Sequence, residues 1–381
     1  MRILFIGSKR QQMPGFIYAL GRMKYESGMY PKPIEEIIND EEEHQLEIFL
    51  KKAKVDFVLS NLFDRRVARV TNRLETIYAV WCADSPHYES WLPEADYDNC
   101  YLFHFDYREY ELKKQNGRHN VYHLPLAADI ATSGQMVITD QEIKKYSCDM
   151  SFVGSLYTDN LYDQELDRFS AILQDAFTEI IEKSAFVWDG KERLHIPPTM
   201  LEAVSQEFPH YYNMPDEYFL RTYLLGRKLT NVERTLMLEL LSEQFGIHLY
   251  TWDDEKVPEG VRRFPGVSQV DALKVFYSSK INLNITLRSI ASGVPARVFD
   301  VMSVGGFMLS NWQEEIPELF AEGREIVTYK TPEELIDKAD YYLRHDDERM
   351  RIGANGYQKV KARHTYEHRL EKIISILFPS P

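Results

Sequence analysis

Residues 281–311, INLNITLRSIASGVPARVFDVMSVGGFMLSN, hold the densest set of side chains suited to chemistry. A short apolar run with Asn284 near its end leads into a loop carrying Thr286, Arg288, Ser289, Ser292 and Gly293. Pro295 opens a helix, where its missing N–H loses no bond. Arg297 and Asp300, three residues apart, share a face of that helix. An oxyanion in the mouth of this loop would meet backbone N–H groups, two guanidinium forks and side chains small enough to permit close approach. One turn further on, Asp300 can accept hydrogen bonds from a sugar diol. The set is equipped for a ribose and a diphosphate.

A second group follows an apolar run in the first hundred residues: Trp81-Cys82-Ala83-Asp84-Ser85-Pro86-His87. His87 there either assists deprotonation of an acceptor and bonds a donor sugar, or is a satisfied, buried histidine. Asp84 either orients it and binds the acceptor, or caps the turn before Ser-Pro. Asp96-Tyr97-Asp98 has the form of a metal-binding triplet, but acidic loops produce such triplets by chance. His119 and His123 fall on a loop and strand, so they share no helical face as zinc ligands would. No metal site is expected. Tyr211, Tyr212, Tyr218, Phe219 and Tyr223 read as core or interface, with an exposed subset able to grip a sugar.

These groups need a frame, and the alternation of the chain supplies one. Apolar runs at Ile3–Ile6, 55–60, 76–82, 101–103 and 121–124 are separated by helical patterns through Ile17, Leu20 and Met23, over 41–52 and over 64–74. That is a parallel sheet with crossover helices. A break at 124–129 precedes a second opening strand, 149–155, which ends in a glycine turn at Gly154. Residues 158–243 are mostly helical, more than one crossover needs. Strands resume at 247–252, 280–285, 307–310 and 325–329. The expectation is an α/β protein of two Rossmann-like, doubly wound domains facing across a cleft, with a helical insertion in the second. The boundaries are 1–128, 129–360 with the insertion at about 158–243, and a C-terminal helix in 361–381 crossing back.

Bulk properties narrow the function. The formal charge of −14 disfavours nucleic-acid or anionic-membrane partners, though not one small basic pocket. No run approaches the 18 or so apolar residues of a membrane span. Cys82, Cys100 and Cys148 are odd in number and widely spaced, which suits core positions in a reducing compartment. The chain reads as cytoplasmic.

The stretch 283–307, LNITLRSIASGVPARVFDVMSVGGF, with Glu314-Glu315-Ile316-Pro317-Glu318-Leu319-Phe320 and the tail from Asn355-Gly356-Tyr357 to His368-Arg369, resembles the C-terminal domain of the spore maturation protein CgeB family. That family is similar to retaining glycosyltransferases of the family-4 kind. The resemblance implies the GT-B fold, a nucleotide-diphosphate sugar donor with UDP favoured, retention of anomeric configuration, and no metal or other cofactor. It leaves the acceptor, a protein or a glycan, open. The wider class places two acids eight residues apart; Asp300 falls on the second, which binds ribose, and Ser292 on the first, which contacts the transferred sugar. A basic pair holds the diphosphate in that class, and the candidates are Arg227-Lys228 and Arg288, with Arg297 either a further one or a structural residue. Trp252 and Gly266-Val267 occupy the places of the base-binding wall; Gly154, Asn284 and Gly293 complete the donor set. The alternatives are a non-catalytic nucleotide-binding or envelope-assembly protein, for which Ser292 speaks, and a nucleotide-sugar epimerase on the same fold.

Overall fold

The computed structural model describes residues 1–9, 14–188, 196–207, 214–252 and 257–379. Twelve strands form two sheets. The first contains β1 (Arg2–Ile6), β2 (Glu26–Met29), β3 (Phe57–Ser60), β4 (Ile77–Cys82), β5 (Cys100–His104) and β6 (Val121–His123), in the order β2-β1-β3-β4-β5-β6. The second contains β7 (Cys148–Val153), β8 (Ile247–Thr251), β9 (Arg262–Pro265), β10 (Ser279–Asn284), β11 (Met308–Asn311) and β12 (Val327–Tyr329), in the order β12-β11-β10-β7-β8-β9. Every strand pair is parallel. Central strands such as β3 and β11 are buried along their whole length, as expected when helices cover both faces.

Ten of the twelve strands coincide with the apolar runs of the sequence, and the two exceptions have one cause. β2 (ESGM) and β9 (RRFP) are sheet edges with mostly exposed residues, so they carry no apolar run. Helices begin where short polar side chains can cap them. Asp64 accepts from Arg66 and Val67 N–H at the start of Arg65–Arg73. Asp106 accepts from Arg108 N–H at the start of Tyr107–Gln115.

The insertion after β7 comprises the helices Leu161–Glu165, Ala171–Ser184, Pro198–Glu207 and Asp216–Phe219, a π turn at Leu220–Leu224, and the long helix Leu225–Ser242. It has its own core, including Phe169, Phe177, Met200 and Leu229. A smaller aromatic cluster joins it to the first sheet's domain. Tyr88 meets Tyr223 edge-on at 4.5 Å between ring centres, and Trp91 lies 5.5 Å from Tyr218. Tyr218 and Phe219 are therefore buried interface residues, while Tyr211 and Tyr212 lie outside the described residues.

The chain's end returns to the first domain. In the helix Tyr366–Leu377, Tyr366 packs between Phe16 (4.7 Å) and Trp81 (5.8 Å). Arg369 donates to the carbonyls of Pro125 and Leu126, fixing the linker between the sheets. Among the described residues, no helix is long and apolar enough to cross a membrane.

Candidate functional site

In an open parallel sheet, ligands bind beyond the carboxyl ends of the strands where the strand order reverses. In the second sheet that point lies between β7 and β10, and two arginines occupy it. Arg234, from the long helix of the insertion, donates through Nε and Nη2 to the Ile285 carbonyl (3.0 and 2.6 Å) and through Nη1 to that of Ser155. Arg297 donates through Nη1 to the Val153 carbonyl, while its Nε is buried with no partner among the described residues. These hydrogen bonds end on carbonyl oxygens, which carry no formal charge; the nearby negative charges are Glu233 for Arg234 and Asp300 for Arg297. Burial lowers the pKa of both guanidiniums, Arg297 to about 10 despite the opposing charge of Asp300 and with a further push from Arg234. Gly154 adjoins them with φ +154°, and a Cβ there would stand 3.9 Å from Arg234 Nη1.

Asp300 shares the helix Ala296–Ser303 with Arg297. Its carboxylate accepts no hydrogen bond among the described residues. Burial raises its pKa to about 6 against the pull of Arg297, and the carboxylate of Asp129 adds to the rise. Asp129 sits where the linker meets the first domain, accepting from Thr132 N and Oγ1. A Cβ at Gly15 would collide with it, so the first helix of the chain approaches this carboxylate closely. Pro295 provides no side-chain cap to the helix of Asp300, and Val298 N–H bonds back to the Pro295 carbonyl at 3.1 Å.

Trp252 follows β8 and is 76% exposed, yet its ring lies on the backbone of Gly266, where any Cβ would overlap it. Val267 beside it packs on the main core. The wall expected from sequence is thus brought together, with one aromatic face presented to solvent.

Other nominated residues are engaged elsewhere. Arg288 pairs with the fully buried Glu233 and donates to the carbonyls of Val187 and Ser184, holding the insertion against β10. An anion at Arg288 would compete with that carboxylate. Lys228 pairs with Asp163 at 2.8 Å, and Arg227 is exposed over the Tyr157 ring. Asn284 donates to Thr286 Oγ1 and Ser310 Oγ, both at 2.9 Å. His87 is only 6% exposed; its Nε2 accepts from Phe63 N–H at 2.7 Å, and burial lowers its pKa to about 3. It is neutral at physiological pH, with its lone pair committed to the backbone, so the buried alternative describes it and a proton-accepting role does not. Asp84 is exposed in the same turn. Asp96 pairs with Arg118 at 2.5 Å, and no cluster of three possible metal ligands occurs among the described residues.

Ser292 and Gly293 face the first domain. Ser292 is fully buried, with its hydroxyl 2.8 Å from Asp106 and 2.7 Å from Glu315. A Cβ on Gly293 would stand 2.7 Å from the Phe105 ring.

Sequence reading missed Arg234 and Asp106. Arg234 had one available signal: it falls on the helix face shared by Met237, Leu238 and Leu241, where a charge needs a reason.

A family model described as glycosyl transferase-like matches residues 227–375, which contain Trp252, Arg234, Arg297 and Asp300. No curated protein matches the sequence. Among solved structures, the chain is similar to sucrose-phosphate synthase from Thermosynechococcus elongatus (8% identity, TM-score 0.55, covering 99% of this chain and 98% of that one). It is also similar to Anabaena HepE in complex with UDP-glucose (9% identity, TM-score 0.54, 99% of each chain). An alpha-glucosyltransferase in complex with UDP and a DNA 13-mer compares equally well (9% identity, TM-score 0.54, 99% of each chain). The chain has the GT-B fold of glycosyltransferases. Its second half carries the sequence signature of a glycosyl transferase-like domain.

Proposed function

We propose that the protein is a glycosyltransferase that takes a sugar from a nucleotide-diphosphate donor, with a UDP-sugar favoured, and passes it to an acceptor protein or glycan. The observation that carries this reading is the grouping of Arg234, Arg297 and the unbonded carboxylate of Asp300 at the reversal point of the second sheet. Two buried guanidiniums match a diphosphate, and Asp300 matches a ribose diol. Trp252 offers its face to the base. HepE, which shares the fold, forms a complex with UDP-glucose.

On this reading residues 1–128 hold the acceptor, 129–360 hold the donor, and 361–381 cross back. The departing diphosphate is stabilised by the arginines in place of a metal, and retention of configuration is what the resemblance to family-4-like enzymes implies. The site works in the cytoplasm, where sugar nucleotides are made. The test is UDP release from a panel of UDP-sugars in the presence of EDTA, with Arg297→Gln and Asp300→Asn as controls. Release from one sugar that both substitutions abolish supports the reading. Absence of release or binding with every sugar nucleotide overturns it.

A further inference from the structure

A second pocket lies past the carboxyl ends of β10 and β11, against the helical insertion. Its wall includes Arg221, Arg288, Trp188, Thr286, Asn311 and Trp312. Thr286 directly follows Ile285, whose carbonyl Arg234 binds, but Arg234, Arg297 and Asp300 take no part in this wall. Among the described residues no Asp or Glu lines it, although the chain as a whole carries a formal charge of −14.

The two arginines of the wall differ. Arg288 is neutralised by Glu233, and its other N–H groups donate to the Val187 and Ser184 carbonyls. Arg221 is partly buried, and its guanidinium has no hydrogen bond or ion pair among the described residues. It belongs to the π turn Leu220–Leu224, a rare geometry that recurs at functional sites. That turn is seated on the loop after β10: a Cβ on Gly226 would stand 3.1 Å from the Arg221 carbonyl and 3.2 Å from Ser289 Cβ.

Trp188 contributes a second unmet group. It is 4% exposed, and its indole Nε1–H has no acceptor among the described residues. A buried donor left unpaired is destabilising, and an incoming acceptor relieves it. Lys330 adds positive charge nearby, 4.9 Å from the centre of the Trp312 ring. The interior open to water is about 40 Å³, room for one small group and too little for a sugar ring.

We propose that this pocket is a second anion site, separate from the diphosphate group. It takes one carboxylate or phosphate group, held by the Arg221 guanidinium with Trp188 Nε1–H as a further donor. The guanidinium fork matches two oxygens of either anion. The site stands apart from the glycosyltransferase reading, which places the donor on Arg234, Arg297 and Asp300.

The experiment titrates inorganic phosphate, and acetate in parallel, into the full chain saturated with UDP, at an ionic strength held constant with chloride. Saturation keeps the anions from the diphosphate group, and the tighter of the two names the group the pocket prefers. Arg221→Gln should weaken that anion by about tenfold or more and leave UDP affinity within about threefold. Trp188→Phe, which keeps a ring and removes the N–H, should weaken it by about threefold or more; it decides the matter if Arg221→Gln does not fold. Equal anion affinity in wild type and Arg221→Gln overturns the proposal, as does failure of both anions to bind wild type. A wild type that binds no UDP defeats the donor reading instead. The titration is then run without nucleotide, where a loss in Arg221→Gln supports the pocket and a loss confined to Arg297→Gln overturns it.

Discussion

Arg288 Nε lies 2.8 Å from both carboxylate oxygens of Glu233, and Glu233 is wholly buried. This pair joins the helical insertion to the end of β10. Removing one partner strands a charge in a low-dielectric site, at a cost of about 3–5 kcal/mol. Arg288→Ala should therefore lower the denaturant midpoint markedly, and replacing both residues with apolar ones of similar volume should restore most of it. If Arg288 instead gripped the donor, the variant would lose nucleotide affinity with its midpoint unchanged.

Trp252 should behave in the opposite way. Its ring is mostly exposed, so Trp252→Ala should leave the melting temperature nearly unchanged while weakening binding of a nucleoside diphosphate by about 1–3 kcal/mol through lost stacking. Gly266→Ala should reproduce the loss by displacing the ring from its seat. Fluorescence quenching of Trp252 by added nucleotide gives the measurement.

Asp300 gives a pH signature. Its folded-state pKa of about 6 lies above the ordinary carboxyl value, so the protonated form favours folding and ionisation opposes it. The penalty is absent below about pH 4, grows as the pH rises, and is complete above about pH 6. The stability of Asp300→Asn relative to wild type should accordingly improve between pH 4 and 7, by up to about 3 kcal/mol. Nucleotide binding should move the other way, rising in wild type through about pH 6 and lost in the variant. A parallel shift of both proteins with pH would count against this assignment.

His123 titrates with the reverse sign. Burial alone would lower its pKa, but the bond and charge of Glu315 outweigh burial, helped by the Phe105 backbone and the Asp106 charge. A histidine raised in the folded state stabilises fully below its unfolded pKa of about 6.5 and loses that contribution as the pH passes its folded value. Wild type should thus exceed His123→Ala in thermal stability at pH 6, with the difference shrinking by pH 9.

The sequence made the two sheets legible because interior strands of a parallel sheet must be apolar, and it concealed β2 and β9 because edge strands need not be. Asp300, Arg297 and Trp252 could be nominated because their spacing relative to strand ends is local. Arg234 could not: it reaches the reversal point from a helix some fifty residues before Ile285, which only the tertiary fold brings close. The partners of Arg288 and His87 were hidden for a related reason. Each is a polar residue near a strand end, and only the fold supplies Glu233 and the Phe63 amide as partners. The serine at 292 looked like a loss of function from sequence, since its carboxylate neighbours lie at 106 and 315.

The most direct test of the central claim is calorimetric titration of UDP-glucose, UDP and other nucleoside diphosphates into the full chain with EDTA present, repeated with Arg234→Met, Arg297→Gln and Asp300→Asn. The account predicts metal-free binding of one nucleoside diphosphate and its sugar, weakened at least tenfold by each substitution, which corresponds to about 1.4 kcal/mol. Binding that persists in all three variants, or no binding by any nucleotide, would contradict it.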